Sequence, residues 1–475
     1  MTPPHRLLAA ALALSMFAAA APPSHADRPQ GLYILSTGVN NPNTPQDDRL
    51  ANIRDYDFVS GYTLRLFWSD IETSQGVYDF SVINAAIDQL APLNQGLSLE
   101  IFTGEEPQYV RDGASATYLD HRGNVAPVPW DPFAQERHAA LYAALGNHVV
   151  QSSGSAHALR DDSTLRSIDA APAGLNFGVR DLNGAIRNHP DYTQQRYIDA
   201  VVNGVAAAAA AFPDHLNFLA FFAFNDGQPG VPVDEQLIQR LAPLYNGPGQ
   251  TELAFFIESL SDDGPVPQPN GMGPGNNLLD WTNLGGSTMI QALDSWLVHR
   301  PERDAQLDSL NPATGIELAY DAYGTRFFEL YIADIDGAAS GALDAAGRPI
   351  IDDLRAWNSL LAEPLHNADF NDSGTVDAAD LTHWQTGFGA ANGAEPTQGD
   401  ANGDQKVDGV DFLIWQRQLA APNSAGQSLA IPEPQSWLLI AMWLWASSTR
   451  RQRNNLQRFA KSACARSLRR KIKPH

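Results

Sequence analysis

Two short stretches of this sequence carry oxygen-bearing side chains at a spacing that can hold a hard cation. Asp369, Asn371, Ser373, Thr375, Asp377 and Asp380 stand at positions 1, 3, 5, 7, 9 and 12 of a twelve-residue stretch. Asp400, Asn402, Asp404, Lys406, Asp408 and Asp411 repeat the arrangement 31 residues later. Ca2+ takes about six to eight oxygen ligands, and position 7 of such a loop supplies its backbone carbonyl, so Lys406 does not spoil the set. Each stretch leads into an apolar pattern of helical spacing. Leu381, Trp384 and Phe388 in the first copy match Phe412, Trp415 and Leu419 in the second, one face of a helix in each.

This duplicated pattern, with Asp instead of Glu at position 12, resembles the type I dockerin family over residues 367–420. The resemblance implies a small all-α loop–helix module with two Ca2+ sites and a cohesin-like protein as partner. Two positions depart from it: Ser373 replaces an acidic residue at position 5, and Gln405 stands where Gly374 serves the first loop. A non-glycine residue in a left-handed turn costs on the order of 1 kcal/mol.

A second group of chemically capable residues lies upstream. Glu105-Glu106, Asn225-Asp226 and Glu258 each follow or end a short apolar run, and Trp68, Trp130, Trp281 and Trp296 fall at or after such runs. Paired carboxylates suit acid/base work on glycosidic bonds, and flat aromatic side chains suit the apolar faces of sugars. The alternative for each is structural: an ion pair for Glu258 with Arg65 or Arg326, a loop cap for Asp226, packing for the tryptophans.

The elements that must position these groups form a repeating series. Eight apolar runs, Leu32–Ser36, Tyr62–Trp68, Leu97–Thr103, Leu165–Ala171, Asn217–Phe224, Leu253–Ser259, Ser287–Leu293 and Arg326–Ala333, alternate with helical patterns such as Phe80–Leu90, Phe133–Val149 and Tyr192–Phe212. Strand and helix alternating in this way predict an α/β fold, a (β/α)8 TIM barrel, within residues 27–365.

The stretch Arg65-Leu-Phe-Trp68, followed by Glu72-Thr-Ser-Gln-Gly76-Val-Tyr78-Asp79, resembles the second-strand region of retaining glycoside hydrolase barrels. The resemblance implies polysaccharide as substrate, with Arg65, Trp68, Trp130 and Trp296 on the substrate side. It also implies one carboxylate after the fourth strand and a nucleophile after the seventh. Here the fourth run ends in Ile168-Asp169-Ala170-Ala171 and the seventh in Ala292-Leu293-Asp294. The best catalytic candidates are therefore Asp226 with Glu258, with Glu105 and Glu106 in reserve.

Both ends of the chain point to export. Residues 1–26 read as a signal peptide, with His5 and Arg6, the apolar run Leu7–Ala21 and a cleavage site at Ser24-His25-Ala26 for a signal peptidase. Residues 421–430 read as a linker. In residues 431–453, Pro432-Glu433-Pro434, an apolar run from Trp437 to Ala446 and then Arg450, Arg451 and Arg453 resemble a bacterial PEP-CTERM sorting segment. That resemblance implies an exosortase-type enzyme as partner and a destination outside the cell or at its surface; a basic tail, 454–475, follows. Residues 27–433 hold 20 basic against 54 acidic residues, a net charge of −34, which disfavours nucleic acid. Cys464 is the one cysteine, so no disulfide forms within the chain.

Together these readings give an exported carbohydrate-active protein, glycoside hydrolase-like, tethered through a calcium-dependent dockerin. A non-catalytic polysaccharide-binding barrel and a structural cell-surface protein are the alternatives.

Overall fold

The computed structural model describes residues 29–35, 49–362 and 368–420, apart from 153, 176–177, 181–183, 248–249, 270–272, 372, 374–375, 392 and 402–405. The expected signal peptide, linker, sorting segment and basic tail lie outside the described residues. Among those described, no helix is long and apolar enough to cross a membrane.

Eight parallel strands close into a barrel in sequence order: β1 Gly31–Leu35, β2 Gly61–Phe67, β3 Gly96–Phe102, β4 Leu165–Asp169, β5 Leu216–Ala220, β6 Leu253–Leu260, β7 Ser287–Ala292 and β8 Phe327–Tyr331. β1 pairs with both β2 and β8, which closes the ring. Each of the eight apolar runs in the sequence forms one strand. The runs are continuous because these strands are buried on both faces. On β2, Tyr62, Leu64 and Leu66 join the core outside the barrel, while Thr63, Arg65 and Phe67 alternate with them and point inward.

Helices cover the outside: α1 Ser81–Leu90, α2 Pro132–Gly146, α3 Gln194–Ala211, α4 Val233–Tyr245, α5 Pro274–Asn283, α6 Pro312–Tyr323 and α7 Ile350–Ala362. α1 buries Val82, Ile83, Ala86, Ile87 and Leu90, one stripe of an α-helix. Asp131 starts α2 by accepting hydrogen bonds from the Phe133 and Ala134 amides, both 3.0 Å, with Pro132 in the first helical position.

The strand ends differ from the sequence expectation for local reasons. β4 stops at Asp169, whose Oδ1 accepts the Ala171 amide at 2.9 Å and turns the chain out of the sheet. The helix expected to reach Val149 ends at Gly146, and Val149–Ser152 pairs with Ser155–Ala158 as a hairpin. A second hairpin, Thr117–Leu119 with Val125–Pro127, rises from the loop after β3.

The lower barrel interior is filled by Tyr33, Phe218, Phe256, Met289 and Phe327. Tyr33 fits because its neighbours on β2 and β3 are glycines. A Cβ on Gly61 would lie 2.3 Å from the Tyr33 ring, and one on Gly96 would lie 2.5 Å from its hydroxyl.

Residues 378–387 and 409–420 form two further helices, α8 Ala378–Gly387 and α9 Gly409–Ala420. They share a small core of Ala368, Phe370, Ala401, Ile414 and Trp415, against which Leu381, Trp384 and Phe412 pack. Phe388 and Leu419, expected on the same buried face, are instead exposed, at 58% and 41%.

The tight seat of Tyr33 yields a stability test. Gly61→Ala places a methyl group against the Tyr33 ring and the Gly96 carbonyl, both at 2.3 Å, and is expected to destabilise the barrel by about 1–3 kcal/mol in urea unfolding.

Candidate active site at the barrel mouth

Arg65 is the centre of a charged layer near the carboxyl ends of the strands. Strand pairing sets Arg65 of β2 opposite Glu100 of β3, and sets Gln291 of β7 between Glu258 of β6 and Glu329 of β8. Arg65 Nε donates to Glu100 Oε2, and Arg65 Nη2 donates to Gln291 Oε1. The same Nη2 lies 3.7 Å from both Glu258 Oε1 and Glu329 Oε2. Arg180, on the loop after β4, lies 3.7 Å from Glu258 Oε2, with its guanidinium 5.0 Å from the centre of the Phe222 ring. Glu258 is 27% exposed, whereas Glu100 and Glu329 are sealed. Within this layer, Glu258 is the carboxylate that reaches the mouth.

Burial sets the protonation of the sealed acids. Desolvation holds Glu329 well above the usual carboxylate range, reinforced by the charge of Glu100 and opposed by Arg65. Asp169, also fully buried, is held well above it by desolvation and then by Glu100. Glu100 is raised by burial too, but Arg65 and a side-chain hydrogen bond from Glu329 favour its charged form. Glu329 Oε2 has no hydrogen-bond partner and lies 3.7 Å from Arg65 Nη2. Burial opposes the charge of Arg65, and Glu100, Glu329 and Glu258 more than offset it.

The other predicted acids are placed differently. Asp226 lies in the loop after β5, where Oδ2 accepts the Tyr192 hydroxyl at 2.7 Å and Oδ1 accepts Gln194 at 3.2 Å and the Gln228 amide at 3.1 Å. It therefore caps and ties its loop. Glu105 pairs with Arg122 at 3.0 Å, and burial raises its pKa against the pull of that arginine. Glu106 is fully buried: Oε1 accepts the Gly174 amide at 2.8 Å and Oε2 has no partner, and burial pushes its pKa up to about 8. It joins the loops after β3 and β4. Asp294, beyond β7, accepts Arg300 Nε at 2.8 Å, and its hydrogen bonds outweigh burial to lower its pKa.

The segment that resembles an enzyme signature is a structural joint. Glu72 is buried: Oε2 accepts Trp68 Nε1 at 2.7 Å, and Oε1 accepts the Gly76 amide at 2.8 Å and the Tyr109 hydroxyl at 2.6 Å, with Arg137 Nη2 at 3.4 Å. Trp68 has no exposed surface, so it presents no face to a sugar. Trp296 is equally buried, with Nε1 donating to Asp262 at 2.8 Å, and Trp281 is stacked on Phe255. Trp130 is half-buried, edge-on to His189 and Tyr192, and keeps part of its surface open.

Glu100, Gln291 and Arg180 are not among the residues expected from the sequence. The first could have been found: Ser98 and Glu100 alternate with Leu97, Leu99 and Ile101, which places Glu100 inside the barrel. Arg180 sits in an irregular loop and carries no such signal.

At the C-terminal module, the residues suit a hard cation. Asp369 Oδ1 and Asn371 Oδ1 converge on the Ser373 amide, each at 3.0 Å. Asp380 Oδ2 accepts the Asp377 amide and Asp411 Oδ2 accepts the Asp408 amide, both at 2.7 Å, so position 12 grips position 9 in each loop. Asp380, Asp400 and Asp411 are buried carboxylates. Thr375, Asn402 and Asp404 lie outside the described residues, and Lys406 is exposed. Among the described residues, no three His, Cys, Asp or Glu side chains converge as a metal cluster; the candidate donors include Asn, Ser and backbone oxygens. Bound calcium would supply positive charge that holds these oxygens together.

No family model matches the chain, and no curated protein does either. Solved structures with a similar architecture include the catalytic domain of a β-amylase from Paenibacillus polymyxa, at 11% identity and TM-score 0.44, covering 70% of this chain and 98% of that one. An endo-β-1,4-glucanase from Xanthomonas axonopodis pv. citri gives 13%, TM-score 0.40, and coverages of 69% and 99%. An exo-β-1,4-mannosidase from Opitutaceae bacterium strain TAV5 gives 14%, TM-score 0.41, and coverages of 70% and 60%. The chain is an eight-stranded parallel α/β barrel. That assignment rests on its own closed strand order.

The buried acids make stability fall with rising pH. Glu106 keeps its proton in the folded chain up to about pH 8, while the unfolded chain releases it near pH 4. The folded state thus binds more protons between those values, and the stabilisation present below pH 4 is lost as pH rises through about 8. The melting temperature is expected to drop between pH 5 and pH 8, and Glu106→Gln is expected to flatten that drop. A profile unchanged by the substitution would place the lost protons elsewhere.

Proposed function

We propose that this chain is an exported carbohydrate-active protein, glycoside hydrolase-like, whose barrel mouth acts on a polysaccharide around Glu258. The observation that carries the reading is the position of Glu258: it lies near the carboxyl end of β6, 3.7 Å from each of two guanidiniums, and is the carboxylate of the Arg65 layer with open surface. Phe67 of β2 and Phe222, whose ring lies 5.0 Å from the Arg180 guanidinium, are partly exposed, a combination of apolar surface and charge that suits sugar rings. Hydrolysis requires a second carboxylate within about 5–10 Å; Asp226 is the first candidate and Glu105 the reserve. Residues 367–420 serve in this reading as a Ca2+-loaded, dockerin-like tether to a cohesin-like protein. The terminal segments direct export through a signal peptidase and sorting by an exosortase-type enzyme.

A binding-only barrel is the second reading, and Gln291 favours it. This amide stands on β7 in register with Glu258 and Glu329, on the strand from which a retaining barrel draws its nucleophile.

A screen of neutral and charged polysaccharides separates the two. Reducing-end release by the unsubstituted protein, lowered by about 10²–10⁴ in Glu258→Gln, supports the hydrolase. Saturable binding without release, weakened by Glu258→Gln, supports the binding barrel. Neither release nor binding on any polysaccharide overturns both.

A further inference from the structure

The two repeats of the C-terminal module hold each other by an exchange of hydrogen bonds. Trp384 Nε1, on α8, donates to the Asp408 carbonyl at 2.9 Å, and Trp415 Nε1, on α9, donates to the Asp377 carbonyl at 2.9 Å. Both pairs keep the 31-residue offset of the repeat, so each indole reaches position 9 of the other repeat's loop. The amide of each position-9 residue is held from within its own loop by the position-12 carboxylate, at 2.7 Å in both cases. Between the helices the rings are contiguous: Trp384 to Phe412 is 4.9 Å between centroids and Phe412 to Trp415 is 5.6 Å.

We infer that Trp384 and Trp415 are positioning residues for the opposite loop, so that a cation bound in either loop strengthens the other. The inference rests on the calcium reading of these loops. A divalent cation draws the oxygens of positions 9 and 12 onto one centre. In the first loop this fixes Asp377, whose carbonyl seats Trp415 and with it the helix that leaves the second loop. The second loop acts on the first through Asp408 and Trp384 in the same way. Such coupling is reciprocal by thermodynamic necessity. Phenylalanine in place of either tryptophan keeps most of the ring packing and removes the N–H donor, which isolates the exchanged bond.

The test is calcium titration of the full chain by calorimetry, with one loop disabled at a time. Asp400→Ala leaves the first loop to titrate, and Asp369→Ala leaves the second. Trp415→Phe is expected to weaken the first loop about fivefold, the worth of one hydrogen bond, and to leave the second within about twofold. Trp384→Phe is expected to do the reverse. A second measurement needs no tryptophan variant: each loop should bind more weakly when the other is disabled than in the intact chain. Weakening confined to a tryptophan's own repeat, or equal affinities with and without the other loop, overturns the inference while leaving the calcium reading intact. Absence of any calcium heat in the unsubstituted chain overturns the calcium reading and the coupling together.

Discussion

The mouth of this barrel depends on one buried guanidinium. Arg65 stands inside the sheet with Glu100, Glu329, Glu258 and Gln291 within reach. A sealed carboxylate without a counter-charge is expensive, because burial removes several kcal/mol of hydration per ion. One arginine cannot neutralise all the acids around it. Burial pushes the Glu329 and Asp169 carboxyls well above the usual range, Glu100 is raised by burial while Arg65 favours its charged form, and Glu258 is left at the opening. The same arrangement fixes where chemistry can occur. The space deeper than Arg65 is filled with rings such as Tyr33, Phe218 and Phe256, and solvent meets the layer at Glu258.

The barrel was legible in the sequence because its strands are buried on both sides. Runs such as Tyr62–Trp68 and Leu97–Thr103 stand out as short apolar blocks whatever the register between them. The site was less legible because it is made by register. Nothing local says that Arg65 faces Glu100, or that Gln291 falls between Glu258 and Glu329; closure of the sheet sets those neighbours. Asp226 stands out by its place after the fifth run, and nothing local shows that Tyr192 and Gln194 tie its carboxylate into the loop. The expectation that Trp68 faces substrate fails for another reason. The residue types around Trp68 and Glu72 resemble an active-site signature, while the indole, the Gly76 turn and Tyr109 all close on Glu72 as a joint beneath the mouth.

The C-terminal module illustrates the opposite case. Its loops and helices are visible in the residue pattern alone, since two copies at one offset constrain each other. What that pattern does not show is that the symmetry continues into hydrogen bonding, each tryptophan serving the other copy. It also overstates the buried face. Phe388 and Leu419 keep the helical spacing of core residues but lie beyond the contact between the two short helices. Periodicity identifies a face, and the length of the contact decides how much of it is covered.

The central claim, that Arg65 holds the mouth together by balancing acids that burial would otherwise leave uncompensated, is tested most directly by a mutant cycle on stability. Arg65→Met alone should lower the unfolding free energy by about 3–5 kcal/mol, and adding Glu100→Met should recover most of that loss. A loss below about 1 kcal/mol for Arg65→Met, or no recovery in the double variant, would contradict it.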